Sequence, residues 1–279
     1  MNLGEFLVQK KDVCESLDAQ ILLAQVIGRP RTWLLAHLDA PLTPPQVDSA
    51  NQAFARLEAG EPLPYILGHW EFYGLDFNVT PDVLIPRPET ELLVDQAIKW
   101  LSAHPQRRSV ADVGTGSGII AVTVAKHIPD SRILATDLSP AALKVAKGNA
   151  EKFDVKSQIE FIECDLLPKK SQIDVLCANL PYVPTETMYG LSIYGREPTL
   201  ALDGGFDGLV LYRRLFDLVP ERVAPDGILL LELEATLGKN TRDLAAETFP
   251  NATLQLHRDL ANHDRLLEIQ FNGELQAKV

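Results

Sequence analysis

From about residue 108 the chain repeats one rhythm: a short apolar segment, a turn, an amphipathic stretch, then another short apolar segment. The apolar members are "SVADVG" (109–114), "RILATD" (132–137), "QIEFIECD" (158–165) and "IDVLCANL" (173–180), and helical patterns separate the first three. Strands joined by helical crossovers run parallel, and a parallel sheet needs helices on both faces to bury it. The pattern predicts an α/β fold with a mostly parallel sheet, in which ligands bind at the carboxyl ends of the strands. Asp137, Asp165 and Asn179 fall at such ends. Downstream, "DGILLLELEA" reads as a further strand and "TLQLHRDLANHDRLLEIQF" as a closing antiparallel pair.

The chain before this region has a different texture. "SLDAQILLAQVIGRP" carries apolar residues at helical spacing and stops at Gly28 with Pro30 behind it, and "TPPQVDSANQAFARLEAGEP" starts at Thr43 and ends at Gly60. "YILGHWEFYGLDFNVTP" brackets a turn at Gly74 to Asp76 with aromatic residues, which predicts a hairpin. The expected organisation is a helical domain over 1–63, a hairpin linker over 64–90 and a catalytic domain over 91–279.

Composition narrows the function. No apolar run approaches the roughly 18 residues that span a bilayer, and "MNLGEFLVQKKD" lacks the apolar region of a signal peptide, so a cytoplasmic protein without membrane attachment is expected. Residues 1–80 hold five Lys and Arg against ten Asp and Glu, and the net charge is −12, so the acidity is not confined to one part. A protein that grips phosphate backbones concentrates cations, which argues against a nucleic-acid substrate. Cys14, Cys164 and Cys177 show no CxxC spacing and the six histidines no i, i+4 pair, so structural thiols and no metal are expected.

"ADVGTGSGII" sets Gly114, Gly116 and Gly118 between a strand and a helix. Glycines there let the backbone turn sharply, or let a cofactor press on the main chain. The spacing is G-x-G-x-G, whereas a dinucleotide fold has its third glycine one position later. Asp137 follows Gly118 by 19 residues, where its carboxylate can accept both hydroxyls of a ribose. With Asp112 nearby, the loop suits a cofactor bearing positive charge better than one bearing phosphates, which points to S-adenosylmethionine. Asp165 can accept an adenine amino group, or be an N-cap or a solvated loop acid.

"NLPY", Asn179 to Tyr182, reads in two ways. It is either a strand exit with a packing tyrosine or a clamp for a planar amide or base. An amide nitrogen has its lone pair delocalised, so methylating it requires the nitrogen to be held in line with the donor. The Asn179 side-chain oxygen and the Leu180 carbonyl can take its two N–H bonds. Pro181 holds the residue before it extended, and Tyr182 offers a flat wall.

"NLPY" resembles the (Asn/Asp/Ser)-Pro-Pro-Tyr motif of amino methyltransferases, and "DVGTGSG" resembles their cofactor loop. The longer stretches "GEPLPYILGHWEFYGLDFNVTPDVLIPRPETELLVD", "REPTLALDGGFDGLVLYRRL" and "RDLANHDR" resemble the peptide chain release factor glutamine methyltransferases of the HemK/PrmC type, with "IPRPETE" the most family-specific piece. The resemblance implies a class I, Rossmann-like catalytic domain with a seven-stranded sheet. It also implies a helical domain that recognises the substrate protein, and transfer of a methyl group to the N5 nitrogen of the Gly-Gly-Gln glutamine in class I release factors.

By the same resemblance, Gly114, Thr115, Gly116, Ser117 and Gly118 hold the methionine part of S-adenosylmethionine and Asp137 its ribose. Asp165 and Leu166 flank the adenine, and Asn179, Leu180, Pro181 and Tyr182 hold the glutamine. A monomer is expected. Three positions depart from the family: Leu180 replaces a proline, Ser16 an arginine, and Leu237 a glutamine before Gly238. "NLPY" is also the spelling in ribosomal RNA adenine dimethyltransferases, but those begin almost at once with the cofactor loop, whereas 113 residues precede Gly114 here. The rival readings are an adenine-N6 methyltransferase and a non-catalytic nucleotide-binding module.

Overall fold

A computed structural model describes residues 1–169 and 172–273; the last part of the expected 91–279 domain lies outside them. The chain divides into two compact units, Met1–Trp70 and Glu71–Val279. The first is helical. Its helices Ser16–Ile27 and Pro44–Glu58 follow from the predicted signals: Gly28 closes the first in the left-handed conformation (φ 65°), and Thr43 with Gln46 forms a capping box at the second. Phe6, Leu22, Leu23, Leu34 and Phe54 are its buried centre.

Two short strands, β1 (His69–Phe72) and β2 (Leu75–Asn78), pair as a hairpin. The turn is Tyr73–Gly74, with Asp76 inside β2; the turn residues predicted from sequence lie one position too far along. Gly74 takes φ 70° and Tyr73 φ 55°, the pair of left-handed conformations that a two-residue hairpin turn requires.

Seven strands make the main sheet among the described residues: β3 (Ser109–Val113), β4 (Arg132–Asp137), β5 (Ile159–Glu163), β6 (Ile173–Ala178), β7 (Val223–Glu232), β8 (Thr253–Arg258) and β9 (Asp264–Gln270). Their order is β5-β4-β3-β6-β7-β9-β8, parallel except for β9, which runs antiparallel to β7 and β8. Side chains alternate between the two faces of a strand. Val110 enters one core with Val175, Cys177, Ile228 and Leu230, beneath helices Glu91–Ala103 and Ile119–His127. Ala111 and Val113 enter the other with Leu176, Ala178, Leu229 and Leu231, beneath helix Val210–Arg222. Burial on both faces explains why these strands read as nearly unbroken apolar runs.

The strand order positions the site. From β3 the chain builds outward through β4 and β5, then returns to the other side of β3 with β6 and continues to β7. The reversal lies between β3 and β6, and a crevice opens there at the carboxyl ends. Gly114 leaves β3 and Asn179 leaves β6, so the glycine loop and "NLPY" form opposite sides of that crevice. No helix among the described residues is long and apolar enough to cross a membrane.

Candidate active site

A cavity of about 480 Å³ occupies the crevice. Of the residues singled out from sequence, Gly114, Thr115, Gly116, Ser117, Asp137, Asp165, Leu166, Asn179, Leu180 and Pro181 line it. Asp112, Gly118 and Tyr182 are not among the lining residues; each sits directly behind one that is.

The glycine loop is held from below and from the side. Asp112 is fully buried and accepts the Thr115 hydroxyl at 2.6 Å and the Ala121 N–H at 3.1 Å. Burial pushes its carboxyl up to about 6, against those two bonds, with Asp137 pushing the same way. Gly114, Gly116 and Gly118 all take positive φ. At Gly118 a Cβ would lie 3.0 Å from the Ala146 Cβ, so that glycine serves helix packing. Around Gly116 a Cβ would find only the Gly114 carbonyl at 4.0 Å, so the main chain here is open to a ligand.

Asp137, at the tip of β4, accepts the Gly116 N–H (2.9 Å) on one oxygen and the Ser139 N–H (2.8 Å) on the other. It is half-buried, and each oxygen keeps a further lone pair for a hydroxyl. A cavity of this size with an open glycine backbone, four lining aspartates (Asp82, Asp137, Asp165 and Asp203) and an apolar floor of Ile119, Ile120 and Leu166 fits a nucleoside sulfonium such as S-adenosylmethionine. Asp165 is paired with Arg214, which also lines the cavity. That pairing competes with an adenine amino group for the same carboxylate.

On the opposite wall, Asn179 Nδ2 donates to Thr90 Oγ1 at 3.1 Å. Among the described residues neither the Asn179 Oδ1 nor the Leu180 carbonyl accepts a hydrogen bond. Two acceptors are thus left at the cavity wall on adjacent residues. Leu180 is buried, and its side chain fills the space beside Gly114 (3.2 Å to a Cβ built there). Tyr182 lies against the core, and burial with the nearby Glu232 carboxyl raises its phenol.

Sequence reasoning missed several parts of this wall. Thr90 lines the cavity beside Asn179, and the buried Glu232 stands next to both. Glu197, also buried, pairs with Arg87 at 2.5 Å and accepts the Ile85 N–H at 3.0 Å, which ties "IPRPETE" to "REPT". Gly204 and Gly208 press on the backbone of "NLPY": a Cβ on Gly204 would sit 2.7 Å from the Tyr182 Cα, and one on Gly208 2.3 Å from its carbonyl oxygen. The Val183 N–H to Leu202 carbonyl (3.0 Å) and Gly204 N–H to Val183 carbonyl (2.8 Å) bonds fasten the two loops. An acid closing an apolar strand, as in "ILLLE", was a readable signal for Glu232; Thr90 left none.

Comparison with known proteins agrees with this geometry. Residues 4–68 match the family model described as "PrmC N-terminal domain", and residues 94–186 match that of "Ribosomal protein L11 methyltransferase (PrmA)". The release factor glutamine methyltransferase of Moorella thermoacetica is 41% identical over 89% of this chain and 89% of its own length. That of Bordetella pertussis is 40% identical over 90% and 93%. Among solved structures, the 16S rRNA methyltransferase RsmC of T. thermophilus aligns with a TM-score of 0.54 at 16% identity, covering 73% of this chain and 50% of that one, a likeness of fold. The chain belongs to the release factor glutamine methyltransferase family, and its cofactor is S-adenosylmethionine.

Proposed function

We propose that this chain, working as a monomer in the cytoplasm, methylates the side-chain nitrogen N5 of the glutamine in the Gly-Gly-Gln loop of class I release factors. The observation that carries the reading is the pair of adjacent acceptors, Asn179 Oδ1 and the Leu180 carbonyl, free on one wall of a cavity whose other wall suits a sulfonium nucleoside. A primary amide presents two coplanar N–H bonds, and two fixed acceptors orient its nitrogen while leaving the face above and below the plane open for attack.

The bound cofactor supplies an electrophilic methyl group on a positively charged sulfur. The main chain at Gly114–Gly116 and the hydroxyl-binding capacity of Asp137 would hold it, with Leu166 against its base. The glutamine nitrogen would take that methyl group, the C–S electron pair remaining with the departing sulfur, and would give up one proton to solvent. Asn179 and the Leu180 carbonyl grip the N–H bonds more strongly as the nitrogen gains charge, so their contribution falls mainly in the transition state.

Replacing Asp137 by Ala should weaken S-adenosylmethionine binding by about 1.5 to 3 kcal/mol, the scale of a lost hydrogen bond to a charged group. Titration calorimetry with unchanged affinity would place the ribose elsewhere. The helical domain is the proposed second contact for the substrate protein. Removing residues 1–63, the expected helical domain, should raise KM for a whole release factor far more than for a short Gly-Gly-Gln peptide. Equal losses on both substrates, in a truncated chain shown to be folded, would rule that role out.

Supplying labelled S-adenosylmethionine with a release factor, a Gly-Gly-Gln peptide or bulk RNA tests the function itself. Label should enter the release factor and, more slowly, the peptide. Preferential labelling of RNA would favour the adenine-N6 reading.

A further inference from the structure

Glu232 ends β7 with 3% of its surface exposed, and its Oε2 has no hydrogen-bond partner among the described residues. The strand tip is fixed, because the Tyr212 hydroxyl donates to the Glu232 carbonyl at 2.5 Å. The carboxyl lies against the side chains of Thr90 and Asn179. A carboxylate withdrawn from water with an unpartnered oxygen is unfavourable, and an apolar or amide residue would serve the fold better.

The chemistry of the Asn179 amide suggests what it does. Oxygen and NH2 are nearly the same size, so only the partners decide which faces the cavity. Thr90 alone does not decide, since a hydroxyl can donate or accept. An ionised Glu232 accepts only. Beside an ionised Glu232 the Thr90 hydroxyl can turn only its hydrogen towards the carboxylate, which leaves the Thr90 oxygen to accept the Asn179 Nδ2–H found at 3.1 Å. The amide oxygen is thereby turned to the cavity, where the glutamine reading needs an acceptor.

We propose that Glu232 is a positioning residue for methyl transfer: acting through Thr90, it holds Asn179 with its oxygen towards the reacting nitrogen. The inference rests on the glutamine methylation reading. Protonated Glu232 can donate to Thr90, whose own hydrogen is then free for the Asn179 oxygen, so the orientation lapses in acid. Burial pushes the carboxyl up to about 7, helped by Glu89, while Thr90, Arg265 and Asn179 oppose the rise. The groups facing it are Glu89 and Thr90 from the turn before helix Glu91–Ala103, Asn179 and Tyr182 from the β6 exit, and Arg265 from β9.

The test uses the full chain with S-adenosylmethionine and a release factor, measuring turnover across neutral pH. Wild-type activity is the first requirement; its absence would count against the methylation reading rather than against Glu232. Wild-type kcat should fall on the acid side of about pH 7. Glu232→Gln should lower kcat about 10-fold to 100-fold above that pH, leave KM for the cofactor within about twofold, and flatten the acid limb. Thr90→Val should show the same loss and Thr90→Ser should recover most of it, with the Glu232→Gln/Thr90→Val pair no worse than about the poorer single variant.

Because the folded value of Glu232 is raised, its destabilisation is absent below the unfolded value of 4.5 and grows until about pH 7. The melting temperature gained by Glu232→Gln should grow over the same interval. Wild-type turnover in Glu232→Gln, an acid limb that survives the substitution, or losses that multiply in the double variant would each overturn the proposal. If Glu232→Gln does not fold, equal turnover in Thr90→Val and Thr90→Ser would overturn it.

Discussion

Asn179→Ala should lower turnover about 100-fold to 1000-fold with saturating cofactor, the scale of losing one preorganised hydrogen bond to a developing charge. Leu180→Pro should stay within about tenfold of the parent, a margin of about 1.4 kcal/mol in barrier. The contrast follows from what each residue lends. Asn179 presents a side-chain oxygen, whereas residue 180 presents its carbonyl, which proline also has. Pro181 already restricts residue 180 to extended backbone, so a second proline adds stiffness without a new contact. Leu180 does pack beside Gly114, and some stability should be lost with its side chain. Comparable damage in both variants, or a nearly intact Asn179→Ala, would disprove the two-acceptor arrangement.

Gly208→Ala should be as harmful through the backbone. Gly208 holds φ 77°, and an added Cβ would stand 2.3 Å from the Tyr182 carbonyl oxygen and 3.1 Å from the Leu237 Cδ1. The left-handed conformation costs a non-glycine residue about 1 to 2 kcal/mol. Forcing the Tyr182 backbone aside adds about 1 to 3 kcal/mol. The displaced backbone is the one carrying Leu180 and Pro181, so turnover should drop about 100-fold in the folded fraction. Gly195 is the control, since it has φ 74° and nothing within 4 Å of a built Cβ. Gly195→Ala should show only the conformational cost. Urea unfolding that finds the two variants equally destabilised would mean the "LDGGFDG" loop does not press on "NLPY".

Features governed by neighbours in sequence were the readable ones. "RILATD" is β4 over its whole length, because a short continuous apolar run closed by an acid suits a strand buried on both faces. The helix ending at Gly28 was readable from a glycine that tolerates the left-handed cap. The hairpin was found but its turn was placed late, since "YGLD" offers two acceptable registers and Tyr73 had to take a positive φ that its residue type disfavours.

Residues at the strand ends were legible as candidates, and the partners that reach them from distant parts of the chain were not. Glycines, a carboxylate and an amide at strand ends point to a ligand, and the structure brings Asp137 and Asn179 to the wall of one cavity. Thr90 meets Asn179 across 89 positions of chain, and Gly208 meets Tyr182 through the loop that follows "REPT". No local pattern encodes such meetings; they exist only in the folded chain. Asp112 shows the converse. It stands in the glycine loop motif, yet its carboxylate is turned inward to Thr115 and Ala121 and serves the loop from beneath.

The central claim is that this cavity transfers a methyl group to a glutamine amide nitrogen. Its most direct measurement is peptide mapping by tandem mass spectrometry of a release factor after reaction with S-adenosylmethionine and either the parent chain or Asn179→Ala. The account predicts one added methyl group on the glutamine of Gly-Gly-Gln, located on its side-chain nitrogen, and little or none with the variant. Methyl groups on another residue type, an unmodified Gly-Gly-Gln peptide from an otherwise active enzyme, or full modification by Asn179→Ala would contradict it.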